Sequence, residues 1–143
     1  MPTLEKAIET AARAHAGQVD KGGAPYILHP LRVMHAVEAH GRAVQIAAVL
    51  HDVVEDTSVT FDDLVAEGFA PEVINAVRAL TKTNGEARLA AAARAAQNPI
   101  ARVVKLADVG DNMDLRRLLN PGEKDFARLR EYEAVRAMLL AAA

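Results

Sequence analysis

The chain has 143 residues, 51% hydrophobic and 25% charged, proportions that fit one soluble globular domain over residues 1–143, large enough to fold without staples. It contains no cysteine, which excludes disulfides, thiolate metal sites and a cysteine nucleophile and suits the cytoplasm. With 17 basic against 19 acidic residues and only two tyrosines and three phenylalanines, nothing favours nucleic-acid binding, no apolar run approaches the ~20 residues of a membrane span, and the first residues lack the pattern of a signal peptide.

Alanine, the best helix former, makes up about a fifth of the chain, and no alternating run of β-branched residues argues for a strand. The expected fold is an all-α, single-domain helical bundle. Leu4, Ile8, Ala11 and Ala12 recur at helical spacing, so a first helix is expected over about 3–15, stopped by Gly17. Gly22, Gly23 and Pro25 make 18–29 a loop that leaves Lys21 free to face a ligand. Pro30 suits the first helical position, which puts His29 at the cap of a second helix running to Gly41. A third is expected over about 42–56, and its middle carries hardly any polar face, so it belongs at the centre of the bundle. Thr60 with Asp63 resembles a capping box for a short helix ending at Gly68, and Pro71 opens another that runs to about Leu80. Further helices are expected over about 86–97 and 100–119, and Pro121-Gly122 ends the second of these. A last amphipathic helix carries Phe126, Leu129, Tyr132, Val135, Met138 and Leu139 and frays at 141–143. It serves equally to complete the core or to pair with a second copy, so a homo-oligomer stays open.

Chemistry concentrates in His51-Asp52-Val53-Val54-Glu55-Asp56. Four ionisable groups end a helix that otherwise reads as buried, and buried charge is costly unless compensated. On a continuous helix His51 and Glu55, like Asp52 and Asp56, stack one turn apart, one layer able to bind a cation while the other acts. The same residues also allow a hydrogen-bonded core histidine beside carboxylates that emerge into solvent. A second cluster places Asp108, Asp111 and Asn112 on one helix face after an apolar stretch. With His29, the chain then offers two imidazoles and two carboxylates from three helices: His29, His51, Asp52 and Asp108. Nitrogen and oxygen donors without sulfur suit manganese, iron, zinc or cobalt. His15 reads as a helix-end residue, His35 and His40 as a solvated face, and Arg13, Arg32 and Lys105 as members of ordinary ion pairs. Asp111 fits a solvated face and a supporting partner of the metal site equally well.

His29, the His51-Asp52 doublet and Asp108 resemble the H…HD…D pattern of HD-domain metal-dependent phosphohydrolases. The surrounding stretches, Pro25-Tyr26-Ile27-Leu28-His29-Pro30, His51-Asp52-Val53-Val54-Glu55-Asp56-Thr57 and Val104-Lys105-Leu106-Ala107-Asp108 with Asn112, are similar to the hydrolase domain of the RelA/SpoT alarmone enzymes and to the small alarmone hydrolases. The resemblance covers nearly the whole chain. It implies a helical bundle that holds one manganese ion, or another divalent metal, on His29, His51, Asp52 and Asp108. It also implies removal of the 3′-pyrophosphate of (p)ppGpp, alarmone degradation in the stringent response, with Glu55 and Asp56 orienting the attacking water and accepting its proton. Lys21 matches a residue facing the substrate phosphates and Asn112 an amide that positions the sugar. No synthetase-like stretch follows, so the resemblance implies hydrolysis alone. The partner implied is a small nucleotide, not nucleic acid or a membrane.

Asp20 stands where these enzymes commonly carry an arginine beneath the guanine ring. The substitution implies lost stacking and a carboxylate that repels polyphosphate. The region 80–100 lacks a tyrosine often found there, so the base pocket is expected to be rebuilt. These departures keep open another nucleotide, such as (p)ppApp or the 2′-phosphate of NADPH, and a metal-stabilised sensor without turnover, although a pure binder has no need of both Glu55 and Asp56.

Overall fold

In the computed structural model, which describes residues 2–142, the Thr3 hydroxyl accepts the Lys6 amide and so caps helix α1 (Leu4–Ala14). Helix α1 buries Ala7, Thr10 and Ala11, small side chains that let it lie close against α3 (Arg42–Leu50). Every residue of α3 from Val44 to Leu50 is buried. That absence of a polar face is why α3 is the axis on which α1, α2 (Leu28–Ala36), α6 (Pro71–Leu80) and α8 (Pro99–Asn112) all pack. Thr60 and Asp63 close the capping box that starts α5 (Phe61–Ala66), and Pro71 opens α6, both as the residue types dictate. Helices α7 (Arg88–Ala96) and α9 (Glu123–Ala142) complete the set, and no helix among the described residues is long and apolar enough to cross a membrane.

Three expected boundaries move, each for a local reason. The third helix does not run to Asp56: it ends at Leu50, turns over His51 and Asp52, and resumes as the short α4 (Val53–Asp56). The His51 ring takes the Ala48 carbonyl at 2.6 Å, the acceptor that the Asp52 amide needs for the helix to continue. Helix α2 starts at Leu28 with Ile27 as its cap, so His29 lies in the first turn and not at the cap. Pro30 is tolerated there because first-turn amides have no acceptor within the helix. Helix α8 stops at Asn112 instead of running to Leu119, because the Asp114 side chain accepts the Arg116 amide and folds the chain into a short 3-10 turn, Leu115–Arg117. In the loop before α2, Val19 and Pro25 form an isolated antiparallel bridge.

The core has two parts. The larger surrounds α3; the smaller joins Ala92 of α7, Val109 of α8, and Val135 and Leu139 of α9. Thus α9 does complete the core, and α8 belongs to both parts, with Val104 in one and Val109 in the other. Asp108 lies between them on α8, buried where the two meet.

Candidate metal centre

Four side chains from three elements converge there. Nε2 of His29 is 2.9 Å from Oδ1 of Asp108 and 3.7 Å from Oδ2 of Asp52. Nε2 of His51 is 3.0 Å from Oδ2 of Asp52 and 3.4 Å from Oδ1 of Asp108. His29, His51 and Asp108 together can hold a metal ion, while Asp52 also neighbours Glu55 and Asp56 in a second, more exposed acidic group. Breaking the third helix at Asp52 is what separates these roles: His51 turns inward, and Glu55 and Asp56 come out at the surface.

The far side of each imidazole is tied down. Nδ1 of His51 donates to the Ala48 carbonyl, and Nδ1 of His29 donates to Oδ2 of Asp111 at 2.6 Å, a carboxylate that Arg32 also grips at 2.7 and 3.1 Å. Both rings therefore turn Nε2 toward the carboxylates, acceptor facing acceptor, an arrangement that needs a cation or shared protons in its midst. Nε2 of His51 is buried and, although carboxylate oxygens lie 3.0 and 3.4 Å away, makes no hydrogen bond of good geometry, which suits a metal-ligating nitrogen. The donor set fits a divalent metal of the imidazole-and-carboxylate class. Asp111 is thus the supporting partner and not a solvated residue.

Burial pulls the pKa of His51 down, yet the carboxylates of Asp52 and Asp108 outweigh it and hold the ring well above its ordinary value. Asp108 moves the opposite way: burial pushes it up, and Lys105, His29 and His51 bring it well below the usual carboxylate range. Asp56 is raised to about 6, first by burial and then by the Asp52 and Glu55 charges. It therefore takes up a proton more readily than an ordinary aspartate does. Glu55 is fixed differently, its Oε1 accepting the Lys82 amide at 2.7 Å.

Two cavities flank the centre. One, of about 230 Å³, is lined by Asp52, Glu55, Asp56 and Asp108 together with Lys82, Arg88 and Lys105. The second, of about 370 Å³, is lined by Lys21, Asn112, Leu115, Leu129 and Arg128 among others, and Tyr26, Asn112 and Tyr132 border both. Lys21 and Asn112 both line this larger cavity beside the centre. Asn112 also donates to Oδ1 of Asp108 at 3.1 Å. The Asp20 carboxylate is not the free charge expected at this wall, because both oxygens are engaged, one by Arg117.

The motif reading left several residues without a role. Tyr26 donates to Oδ2 of Asp52 at 2.6 Å; its place in the motif before His29 was the available signal. Tyr132 supplies an aromatic wall from α9, with the Arg88 guanidinium 4.7 Å above its ring, and helical spacing alone marks it only as core. Lys82 and Arg88 come from a turn and a helix start whose pattern carries no signal. Lys105 pairs with Asp108 at 3.0 Å, His15 is buried against Gln18 at its helix end, and His35 and His40 are exposed.

The fold and this centre define an all-helical bundle built around a histidine–aspartate metal pocket. The HD domain family matches residues 7–143, and the chain belongs to it. A probable GTP pyrophosphokinase of Mycobacterium leprae is 36% identical over 139 residues, covering 90% of this chain and 17% of that protein. A guanosine-3′,5′-bis(diphosphate) 3′-pyrophosphohydrolase of Spiroplasma citri is 43% identical over 83 residues, covering 57% of this chain and 11% of that protein. The chain therefore spans less than a fifth of the length of these curated relatives. A solved structure of a metazoan ortholog of SpoT that hydrolyzes ppGpp superposes with a TM-score of 0.80 at 27% identity, covering 98% of this chain and 87% of that one.

Proposed function

We propose that the chain is a manganese-dependent (p)ppGpp 3′-pyrophosphohydrolase. The observation that carries this reading is the convergence of two oriented imidazoles and two carboxylates beside the Glu55–Asp56 pair, in a cavity that Lys82, Arg88 and Lys105 also line. Relatives named as ppGpp 3′-pyrophosphohydrolases, and the structural likeness to a ppGpp-hydrolyzing SpoT ortholog, support the same substrate. His29, His51, Asp52 and Asp108 would hold the ion. Such an ion, when bound, lowers the pKa of water from about 15.7 toward about 7 and neutralises phosphoryl charge.

The chain's own residues do the rest. Asp56 and Glu55 aim the attacking water and take its proton, a role worth about 10²–10⁴-fold in rate. Asp56 suits it because its pKa of about 6 makes it a stronger base than an ordinary carboxylate, yet leaves it ionised at neutral pH. Lys82, Arg88 and Lys105 line the same cavity and offset the charge of the substrate phosphates. Lys21 and Asn112 steer the nucleotide from the larger cavity.

The test is incubation of the chain with manganese and, separately, ppGpp, pppGpp, ppApp and NADPH, following released pyrophosphate and phosphate. Pyrophosphate from a guanine alarmone, lost in His51→Ala and in Glu55→Ala with Asp56→Ala while the latter still binds metal, is the expected result. Turnover of ppApp or NADPH alone would assign the same chemistry to another nucleotide. An unchanged rate in the double variant would remove the proposed roles of Glu55 and Asp56.

A further inference from the structure

Asp20 and Arg117 are 97 positions apart and meet in the wall of the larger cavity. Oδ1 of Asp20 accepts the amides of Gly22 and Ala24, both at 2.9 Å, and Oδ2 faces Nη1 of Arg117 at 3.3 Å. Nη2 of Arg117 donates to the Asp111 main-chain carbonyl at 2.9 Å and lies 3.4 Å from the carboxylate of Asp111. Gly22 approaches so closely that a Cβ there would overlap the main-chain carbonyl oxygen of Arg117. The segment carrying Lys21 is therefore seated on the 3-10 turn after α8 by an ion pair and by a backbone contact that only glycine permits. Asp111, at the other end of this chain of contacts, is the acceptor that orients His29.

We propose that Asp20 and Arg117 are positioning residues that seat the Lys21 loop, set the width of the nucleoside cavity and tie that cavity to the Asp111–His29 contact. The proposal rests on reading the centre as a nucleotide phosphohydrolase. It accounts for a carboxylate tolerated beside a polyanion: the pair is neutral together, and the charge left facing the substrate from this loop is Lys21. Removing Arg117 leaves the Asp20 charge unpaired, and removing Asp20 leaves Arg117 only its longer contact with the Asp111 carboxylate, so the two losses overlap when both are removed.

The experiment is a double-mutant cycle of Asp20→Asn and Arg117→Gln, with KM and kcat measured for whichever nucleotide the wild-type chain hydrolyses. Asparagine keeps the acceptor for Gly22 and Ala24 while dropping the charge. Each single variant is expected to raise KM about 5–30-fold, the equivalent of one or two kcal/mol, with a smaller effect on kcat. The double variant should raise KM by less than the product of the singles, and Arg117→Lys should recover part of the loss. Gly22→Ala, which wedges the loop away without touching charge, should raise KM in the same way. Unchanged KM in the singles, or effects that multiply in the double variant, would overturn this proposal alone. A wild-type chain that hydrolyses no nucleotide would overturn the hydrolase reading and this proposal with it.

Discussion

Oη of Tyr26 lies 2.6 Å from Oδ2 of Asp52, and the Tyr26 ring packs between His15 and His29 with centroids 5.0 and 5.7 Å away. The phenol thus holds a carboxylate of the candidate centre while its ring wedges beside an imidazole of the same cluster. Burial and the Asp52 charge push the Tyr26 pKa up, so it remains a donor at any working pH. Tyr26→Phe keeps the ring and deletes the donor. The expected outcome is a loss of about 10–100-fold in activity or metal affinity, the usual effect of removing a partner behind a ligand, with little change in melting temperature. A rate within twofold of wild type would show that Asp52 is oriented without Tyr26.

The acceptor-on-acceptor arrangement at the centre makes metal binding a stabilising event. An ion that binds only the folded chain adds about 2.7 kcal/mol at a concentration one hundred times its Kd, which for a chain of this size raises Tm by about 5–10 °C. Manganese should produce such a shift in a thermal melt, and chelation should reverse it. His51→Ala and Asp108→Ala should abolish it. A shift that survives both substitutions would place the ion elsewhere.

Asp111 is a carboxylate beside the centre that binds a ring nitrogen facing away from it. Oδ2 accepts Nδ1 of His29 while Arg32 holds both oxygens. Burial acts to raise its pKa, but the His29 and Arg32 hydrogen bonds prevail and take it well below the usual carboxylate range. Asp111→Asn retains an oxygen but gives up the charge that fixes the His29 tautomer. Metal affinity should fall about 10–100-fold, measured by titration calorimetry, with helix content preserved. Unchanged affinity would mean that packing alone orients His29.

The parts of this molecule that were legible in the sequence are those set by pattern. Apolar periodicity marked the buried α3, proline and capping residues marked the starts of α5 and α6, and histidine–aspartate spacing marked His29, His51, Asp52 and Asp108. What escaped was set by competition for single hydrogen bonds. The His51 ring takes the Ala48 carbonyl and breaks a helix that periodicity would continue, and Asp114 turns the chain out of α8 well before Pro121. The Asp20–Arg117 pair, and the approach of Lys82 and Arg88 to the cavity beside Asp108, join residues remote in sequence, and no local spacing records such contacts.

Arg94 staples the turn before α7 to the end of α6. Its guanidinium donates to the carbonyls of Arg78, Ala79 and Thr81 at 3.3, 3.2 and 2.8 Å and to both oxygens of Glu86 at 2.8 and 3.1 Å. These carbonyls belong to the close of α6, and the same turn carries the Lys82 amide that fixes Glu55. Arg94→Ala should cost about 1–3 kcal/mol, as for charged hydrogen bonds to helix-end carbonyls, and should also lower kcat by freeing Glu55. Glu86 is held at about 2 against an ordinary 4.5, first by the Arg94 hydrogen bond and then by the Thr83 amide. Because the folded value is the lower one, this contribution is present in full above pH 4.5 and is lost as pH falls from there through about 2. Urea midpoints should therefore drop less steeply across that window in Glu86→Gln than in wild type. High salt should narrow the difference, since the pair is only half-buried. Parallel curves would show that acid lability arises elsewhere in the chain.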